Sequence, residues 1–290
     1  MIDTFEDVSI EGFPRIARAI GESPSPLCDF TPFVIFTWRD FYKTKYTFLE
    51  NSLVLRHTVT CGECFSPLSP DIVKAVEELF EKEEKNVLTL SLVTESDLES
   101  LKSSFVVDNV KTDEGWWDYI YLHEDLSEFR GKRFSGERNH INKFLASVSE
   151  WHYEEIGIGN IYEVLNFYLS LSKDTEGLDE TALYEREKLL SYMEKDYISL
   201  PLSGGLIRAD GEIVSFAFGE VIGNMLFVHV EKARRDKPGA YQMIVREFAR
   251  HNPARLINRE EDMGLEGLRR SKEAYHPIEK LKKYTLTVKR

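Results

Sequence analysis

Residues 226–275 read LFVHVEKARRDKPGAYQMIVREFARHNPARLINREEDMGLEGLRRSKEAY. Leu226, Val228 and Val230 alternate with Phe227, His229 and Glu231, the period of a strand, so His229 and Glu231 share one face. Pro238-Gly239 then opens a helix on which Tyr241, Ile244, Val245 and Phe248 recur at helical spacing. Lys232, Arg234, Arg235 and Lys237 stand just before that helix start, where unpaired N–H groups and the helix dipole favour an anion. Leu256 and Ile257 end a second short strand and release Asn258, Arg259, Glu260, Glu261 and Asp262 together. A last helix begins at Leu265 and Leu268 and closes at Tyr275-His276-Pro277. Strands that end in clustered polar residues beside a helix N-terminus suit group transfer, and the chemistry is expected here.

Length and composition set the outer bounds. A chain of 290 residues suits one large domain or two of ordinary size, and 42% hydrophobic residues are enough for a sizeable core. The net charge of −13 argues against nonspecific nucleic-acid binding as the main activity, because the phosphate backbone repels such a surface. The start, MIDTFEDVSI, lacks the basic and apolar regions of a signal peptide, and no apolar run approaches the ~20 residues of a membrane span. A soluble, cytoplasmic protein without an integral membrane segment is expected. The three cysteines make no disulfide framework. Cys61-Gly62-Glu63-Cys64, with His57 upstream, has no second ligand pair to complete a zinc site. A strand end followed by a turn is expected there, and no metal.

Along the chain, Pro14–Ile20 form a short helical pattern, and FVIFTW (33–38), KYTFLE and SLVLRHTV read as strands. Pro70-Asp71 starts a helix with Ile72, Val73, Val76, Leu79 and Phe80 on one face; VLTLSLV is a strand, and Asp97 caps a helix over Leu98–Phe105. LESLKSS at 98–104 resembles LEGLRRS at 265–271, and Phe80 falls in its helix about where Phe248 falls in its own, at an offset of 167 or 168. The shared order of helix, strand, acidic linker and helix points to a tandem duplication. The first copy carries Ser91-Leu92-Val93 where the second has Asn258-Arg259-Glu260, so the second copy is expected to be the working one.

Between the copies, a strand around Trp117–Leu122 ends in His123-Glu124-Asp125, a helix cap. Arg130, Lys132, Arg133, Arg138 and Lys143 then form the most basic stretch of an acidic protein, with Ile141, Phe144, Leu145 and Val148 as the buried face of its helix. A solvated face and an anion site both fit this stretch. Helices near Ile161–Leu171 and Ala182–Lys195 follow, then strands with turns at Asp210-Gly211 and Gly223-Asn224. The expected domains are residues 1–150, without the active site, and 151–290, with it.

Gly131-Lys132-Arg133, Glu137-Arg138-Asn139-His140-Ile141-Asn142-Lys143-Phe144, Val230-Glu231-Lys232-Ala233, Gly239-Ala240-Tyr241-Gln242, Asn258-Arg259-Glu260-Glu261-Asp262-Met263-Gly264, Gly267-Leu268-Arg269 and Lys272 with Tyr275-His276-Pro277 together resemble one family. It is the family that shares its domain with the C-terminal part of bacterial phosphatidylglycerol lysyltransferases, and the likeness covers roughly residues 30–285. The resemblance implies an α+β fold: two tandem GCN5-related N-acyltransferase (GNAT-like) domains, with mixed central sheets flanked by helices, as in Fem-type aminoacyl transferases. Unlike the lysyltransferases, the chain carries no multi-span membrane region. The Arg/Gln-x-x-Gly-x-Gly/Ala loop of acetyltransferases is not reproduced either, since Arg235 precedes Gly239 by one residue too many.

An acyl or aminoacyl transferase needs a neutral acceptor amine, a polarised donor carbonyl and a proton for the leaving group. Glu231 is the candidate base, or else the partner of Lys232 or Arg259. Asn258 is placed to orient the acceptor or hold the carbonyl, or else caps a turn. Glu260 and Asp262 attract a cationic acceptor or cap the next helix. Tyr275 is the candidate proton donor to the leaving group, or a core residue. His229, Arg259 and Lys272 complete the acceptor side, where Arg259 has the alternative of neutralising the acidic cluster. Lys232 and the turn Gly239-Ala240-Tyr241-Gln242 are expected to hold a donor phosphate, with Arg133, Arg138 and Asn142 as a second anion contact. No cofactor is expected to bind tightly; acyl-coenzyme A and aminoacyl-tRNA are the candidate co-substrates, with an amine or hydroxyl acceptor. Two other readings stand beside this one. One is a catalytically silent protein of the same fold that only binds; the other is a nucleic-acid-associated protein using residues 130–143.

Overall fold

The structure is a computed structural model and describes residues 5–59, 62–171, 180–200 and 202–290. Its compact units are not consecutive halves. Unit 1 runs from the first described residues to Tyr119 and adds Glu260–Ser271 and Glu279–Arg290; unit 2 is Ile120–Arg259 with Lys272–Ile278.

The N-terminal half of the chain supplies β1 (Glu6–Asp7), α1 (Phe13–Glu22), α2 (Pro32–Trp38), β2 (Lys45–Phe48), β3 (Leu53–Val59), β4 (Gly62–Leu68), α3 (Ile72–Glu83), β5 (Val87–Val93), α4 (Glu95–Ser104), β6 (Val106–Thr112) and β7 (Asp118–Leu122). The rest supplies α5 (His123–Glu128), α6 (Ser135–Ser147), β8 (Trp151–Glu155), α7 (Ile161–Leu171), α8 (Glu180–Ser191), β9 (Ser203–Ala209), β10 (Glu212–Ile222), β11 (Met225–Ala233), α9 (Ala240–His251), β12 (Leu256–Asn258), α10 (Glu266–Ala274), β13 (Glu279–Leu281) and β14 (Tyr284–Lys289).

The first sheet has the order β1-β2-β3-β4-β5-β14-β6 and the second β13-β7-β12-β11-β10-β9-β8. These are one pattern written twice. In each, a parallel pair joined through a helix, β4-α3-β5 or β11-α9-β12, follows a run of antiparallel strands. In each, the strand beside that pair comes from the other half of the chain: β14 stands between β5 and β6, and β7 lies against β12. The duplication read from the helix-strand-helix order is thus repeated in the strand order. The fold is α+β, with two mixed sheets flanked by helices. The expected boundary at residue 150 does not coincide with the division into units, because β14 pairs in the first sheet across almost the whole sequence.

Unit 1 is closed by an apolar cluster that includes Phe65, Val76, Leu79, Phe80, Leu90, Leu101, Leu286 and Val288. Each such side chain removed from water stabilises the fold by about 1.5–3 kcal/mol. Helix α3 buries Ile72, Ala75, Val76, Leu79 and Phe80, and Asp71 Oδ1 caps it by accepting from Lys74 N at 3.1 Å.

Three local expectations are corrected. FVIFTW is not a strand but α2, started by Pro32 and capped by Thr31 Oγ1, which accepts from Val34 N at 3.3 Å. A short run buried at Pro32, Phe33, Ile35, Phe36 and Thr37 carries no period that separates helix from strand. Thr94, not Asp97, caps α4, three residues earlier than expected. On α6, Ile141 and Phe144 are buried as expected, whereas Leu145 is exposed. Of the Cys61–Cys64 motif, Cys64 is buried on β4, and Cys61 lies outside the described residues.

Candidate functional site

The site of unit 2 is built at the turn between β11 and α9. Gly239 is the N-cap of α9 in the left-handed region, φ +85°, and a Cβ there would stand 2.0 Å from His140 O on α6. Only glycine satisfies both conditions. Because no side chain caps α9, the N–H groups of Tyr241 and Gln242 make no hydrogen bond among the described residues. The Ala240 N–H, expected to bind the donor, instead donates to Lys237 O at 3.2 Å.

Around this turn lies a cavity of about 1250 Å³, lined by Phe167, Tyr168 and Arg186 of α7 and α8 and by Glu231–Gly239, Tyr241 and Gln242. Its cations differ in how far they are already neutralised. Arg234 is bound to Glu212 and Asp236, both at 2.7 Å, and Lys232 stands 3.9 Å from Glu185. Arg235 and Lys237 make no ion pair among the described residues. A helix start with unpaired N–H groups and two unneutralised cations is suited to a phosphate.

The cavity reaches Glu231 and Tyr241, behind which Arg259 is buried. Arg259 donates to Glu231 Oε2 through Nε at 3.2 Å and Nη2 at 2.5 Å, and to Tyr241 Oη at 3.0 Å. Tyr241 in turn donates to the same carboxylate oxygen at 3.0 Å. All these bonds fall on Oε2, so Glu231 Oε1 is left without one among the described residues. Burial opposes the charge on Arg259, but Glu231 more than restores it and holds the guanidinium firmly protonated. Burial and the Glu231 charge push the Tyr241 phenol well up. The Arg259 guanidinium also lies 4.6 Å from the Tyr275 ring. Tyr275 is buried, and burial raises its phenol too. Arg259 Nη1, Tyr275 Oη and Glu137 Oε2 are buried atoms without a hydrogen-bond partner among the described residues.

The chain matches the family described as phosphatidylglycerol lysyltransferase, C-terminal, over residues 30–287. It belongs to that family. A crystal structure of a conserved protein of unknown function from Bacteroides thetaiotaomicron is 30% identical, with a TM-score of 0.87 and complete coverage of both chains. The crystal structure of FemX shares the fold at 10% identity, TM-score 0.62, covering 97% of this chain and 96% of that one. An uncharacterised protein of Mycoplasmoides gallisepticum is 26% identical over 202 residues, 68% of this chain. The match spans 63% of that relative's length.

The family match takes in every residue expected at the site, and the fold treats them unequally. Glu231, Lys232, Gly239, Tyr241 and Gln242 line the cavity, and Arg259 and Tyr275 stand behind it. Asn258, at the end of β12, is fully buried. The His229 side chain is buried against Glu220, with Nε2 3.0 Å from its carboxylate. Lys272 is buried and donates to the Arg259 carbonyl. In the basic stretch, Arg133 pairs with Asp125 at 2.6 Å, and Arg138 donates to the carbonyls of Phe129 and Gly131 at 2.5 and 2.6 Å. Those guanidinium groups tie down their own loop, while Asn142 is exposed on α6.

Glu260 and Asp262 belong to unit 1. Asp262 is fully buried and accepts from Tyr119 Oη at 2.6 Å, Arg269 Nε at 2.8 Å and Gly264 N at 2.8 Å. Burial alone would raise its carboxyl, but these bonds hold it below the usual range. Its lone pairs serve the fold rather than an acceptor. The sequence reading missed Tyr168 and Arg186, which line the cavity, because nothing in an amphipathic helix says which of its polar positions will face a cavity formed by a distant turn. Among the described residues, no helix is long and apolar enough to cross a membrane.

Proposed function

We propose that unit 2 is the site of an acyl or aminoacyl transferase whose phosphate-bearing donor seats at the β11–α9 turn. The observation that supports this most is that one cavity holds an uncapped helix start, the cations Arg235 and Lys237, and a carboxylate with one oxygen left open. The donor phosphate binds the N–H groups of Tyr241 and Gln242, with Lys232, Arg235 and Lys237 supplying charge. Glu231 Oε1 accepts the proton of the acceptor amine, directly or through water. The amine nitrogen bonds to the donor carbonyl carbon, the bond from that carbon to the donor sulfur or oxygen breaks, and the proton taken up by Glu231 passes to the departing sulfur or oxygen, directly or through water. Arg259 and Tyr241 keep Glu231 oriented, and Tyr275 supports Arg259 rather than reaching the leaving group. Asp262 and Lys272, whose hydrogen bonds go to protein groups, have no part in the reaction, and neither does the tied-down Arg133–Arg138 loop.

Calorimetric titration of coenzyme A, acetyl-coenzyme A and an aminoacyl-tRNA tests this reading. Gly239 variants are unsuitable, because the turn itself needs glycine. The informative comparison is the doubly substituted Arg235→Glu, Lys237→Glu protein. At least one donor is expected to bind the parent, with affinity about tenfold or more lower in the variant. Failure of all three to bind, or equal binding by the variant, overturns the reading.

A further inference from the structure

Unit 1 buries one ammonium among more carboxylates than it can neutralise. Lys283, in the turn between β13 and β14, has Nζ 2.5 Å from Asp29, 2.7 Å from Asp118 and 3.5 Å from Glu261. It also donates to Cys28 Sγ at 3.4 Å, and the Cys28 thiol lies 3.3 Å from both Asp118 Oδ1 and Glu261 Oε2. Lys283 and Asp118 are buried, and the side chains of Glu261 and Asp29 retain only 19% and 29% exposure. In such surroundings three carboxylates facing one ammonium do not all stay ionised at small cost. Geometry selects the one that takes a proton: Glu261 is the farthest from Nζ, while Asp29 and Asp118 hold the short contacts.

The charges acting most on Glu261 are Lys283, which favours its ionisation, and Asp118, Asp29 and Glu260, which oppose it. Burial is the larger effect, and together with those carboxylates it pushes the Glu261 carboxyl up to about 7. Tyr42, in the field of Asp29, Glu261 and Lys283, is raised to about 12 and stays neutral, first through burial. Burial likewise pushes the Cys28 thiol well up, so it stays protonated as a donor. The cage therefore gains one negative charge near neutrality, and that charge belongs to Glu261.

The cage also gathers distant stretches of sequence. Cys28 and Asp29 precede α2, Asp118 starts β7, Glu261 lies in the segment 260–271 and Lys283 adjoins the first residue of β14. We propose that Glu261 is a proton latch: protonated, it closes the cage on Lys283 and holds the C-terminal segments in unit 1; ionised, it loosens them. The sign follows from linkage. A carboxyl whose folded value lies above its ordinary 4.5 binds more protons in the closed state, so its stabilisation is complete below 4.5, is lost as pH rises to about 7, and changes little above.

Amide hydrogen exchange of the full chain, corrected for intrinsic chemical exchange and read over residues 284–289, tests the latch. The opening equilibrium is expected to rise by up to about tenfold per pH unit between about pH 5 and 7 and then level off. In Glu261→Gln the profile is expected to be flat. Asp29→Asn, which removes one opposing charge while leaving Glu261 in place, is expected to shift the transition to lower pH. No pH dependence in the parent, the same slope in Glu261→Gln, or an unmoved transition in Asp29→Asn overturns the proposal.

Discussion

Arg259 joins three parts of unit 2. It is 5% exposed, its guanidinium binds Glu231 and Tyr241, and its backbone carbonyl receives Lys272. A buried ion pair adds little stability over a well-packed apolar pair, but breaking it strands a charge. Arg259→Met is therefore expected to destabilise the protein by about 3–5 kcal/mol, and adding Glu231→Gln should recover a large part of that loss. Urea unfolding of the parent, single and double variants checks this; equal midpoints for single and double variants would show that Glu231 is not the stranded partner. The Glu231–Arg259 pair was legible in the sequence as one of two open readings. That Tyr241 completes it was not, since the phenol reaches Glu231 only after α9 folds back along β11.

At the scale of elements, the two β-α-β crossovers differ at the N-cap of their helices. Helix α3 begins at Asp71, whose carboxylate fills its own helix start, whereas α9 begins at Gly239 and leaves its start open. This contrast supports placing the donor in unit 2, because a carboxylate already in place excludes a phosphate by charge and by volume. Asp71→Ala is expected to cost about 1 kcal/mol as a lost cap. Gly239→Ala should cost about 2 kcal/mol or more, through the positive φ and the collision with His140 O. Thermal unfolding of the two variants ranks them, and a smaller loss at Gly239 than at Asp71 would contradict the argument. The strand β11, helix α9 and their basic Pro-Gly turn were readable from period and turn chemistry. The helix α2 was not, because a short run buried on every side looks alike in either conformation.

For the whole molecule, the decisive feature is that each sheet takes a strand from the other half of the chain. Without β14, β5 and β6 have nothing between them, since β14 pairs with both. A fragment of residues 1–150 is therefore expected not to fold alone, whereas the same fragment with residues 279–290 supplied as a peptide should regain strand structure. Circular dichroism and proton NMR distinguish the cases, and a well-dispersed spectrum from the fragment alone would refute the expectation. Pairing over such sequence separations also predicts slow folding, because loop closure precedes the contacts that offset it.

The sequence by itself determined the elements that have a period: the amphipathic helices, the alternating strands, the hairpin turns, and the polar cluster at Asn258–Asp262 that follows a buried strand. It also determined that two copies of one pattern are present, since local order survives duplication. Tertiary structure alone decided which copy each strand joins, where the units divide, and which of the clustered polar residues face a cavity. Asp262 and Lys272 look as reactive in sequence as Glu231 does. What separates them is the partners each finds on folding, and hydrogen bonds between residues far apart in the chain leave no trace in local spacing.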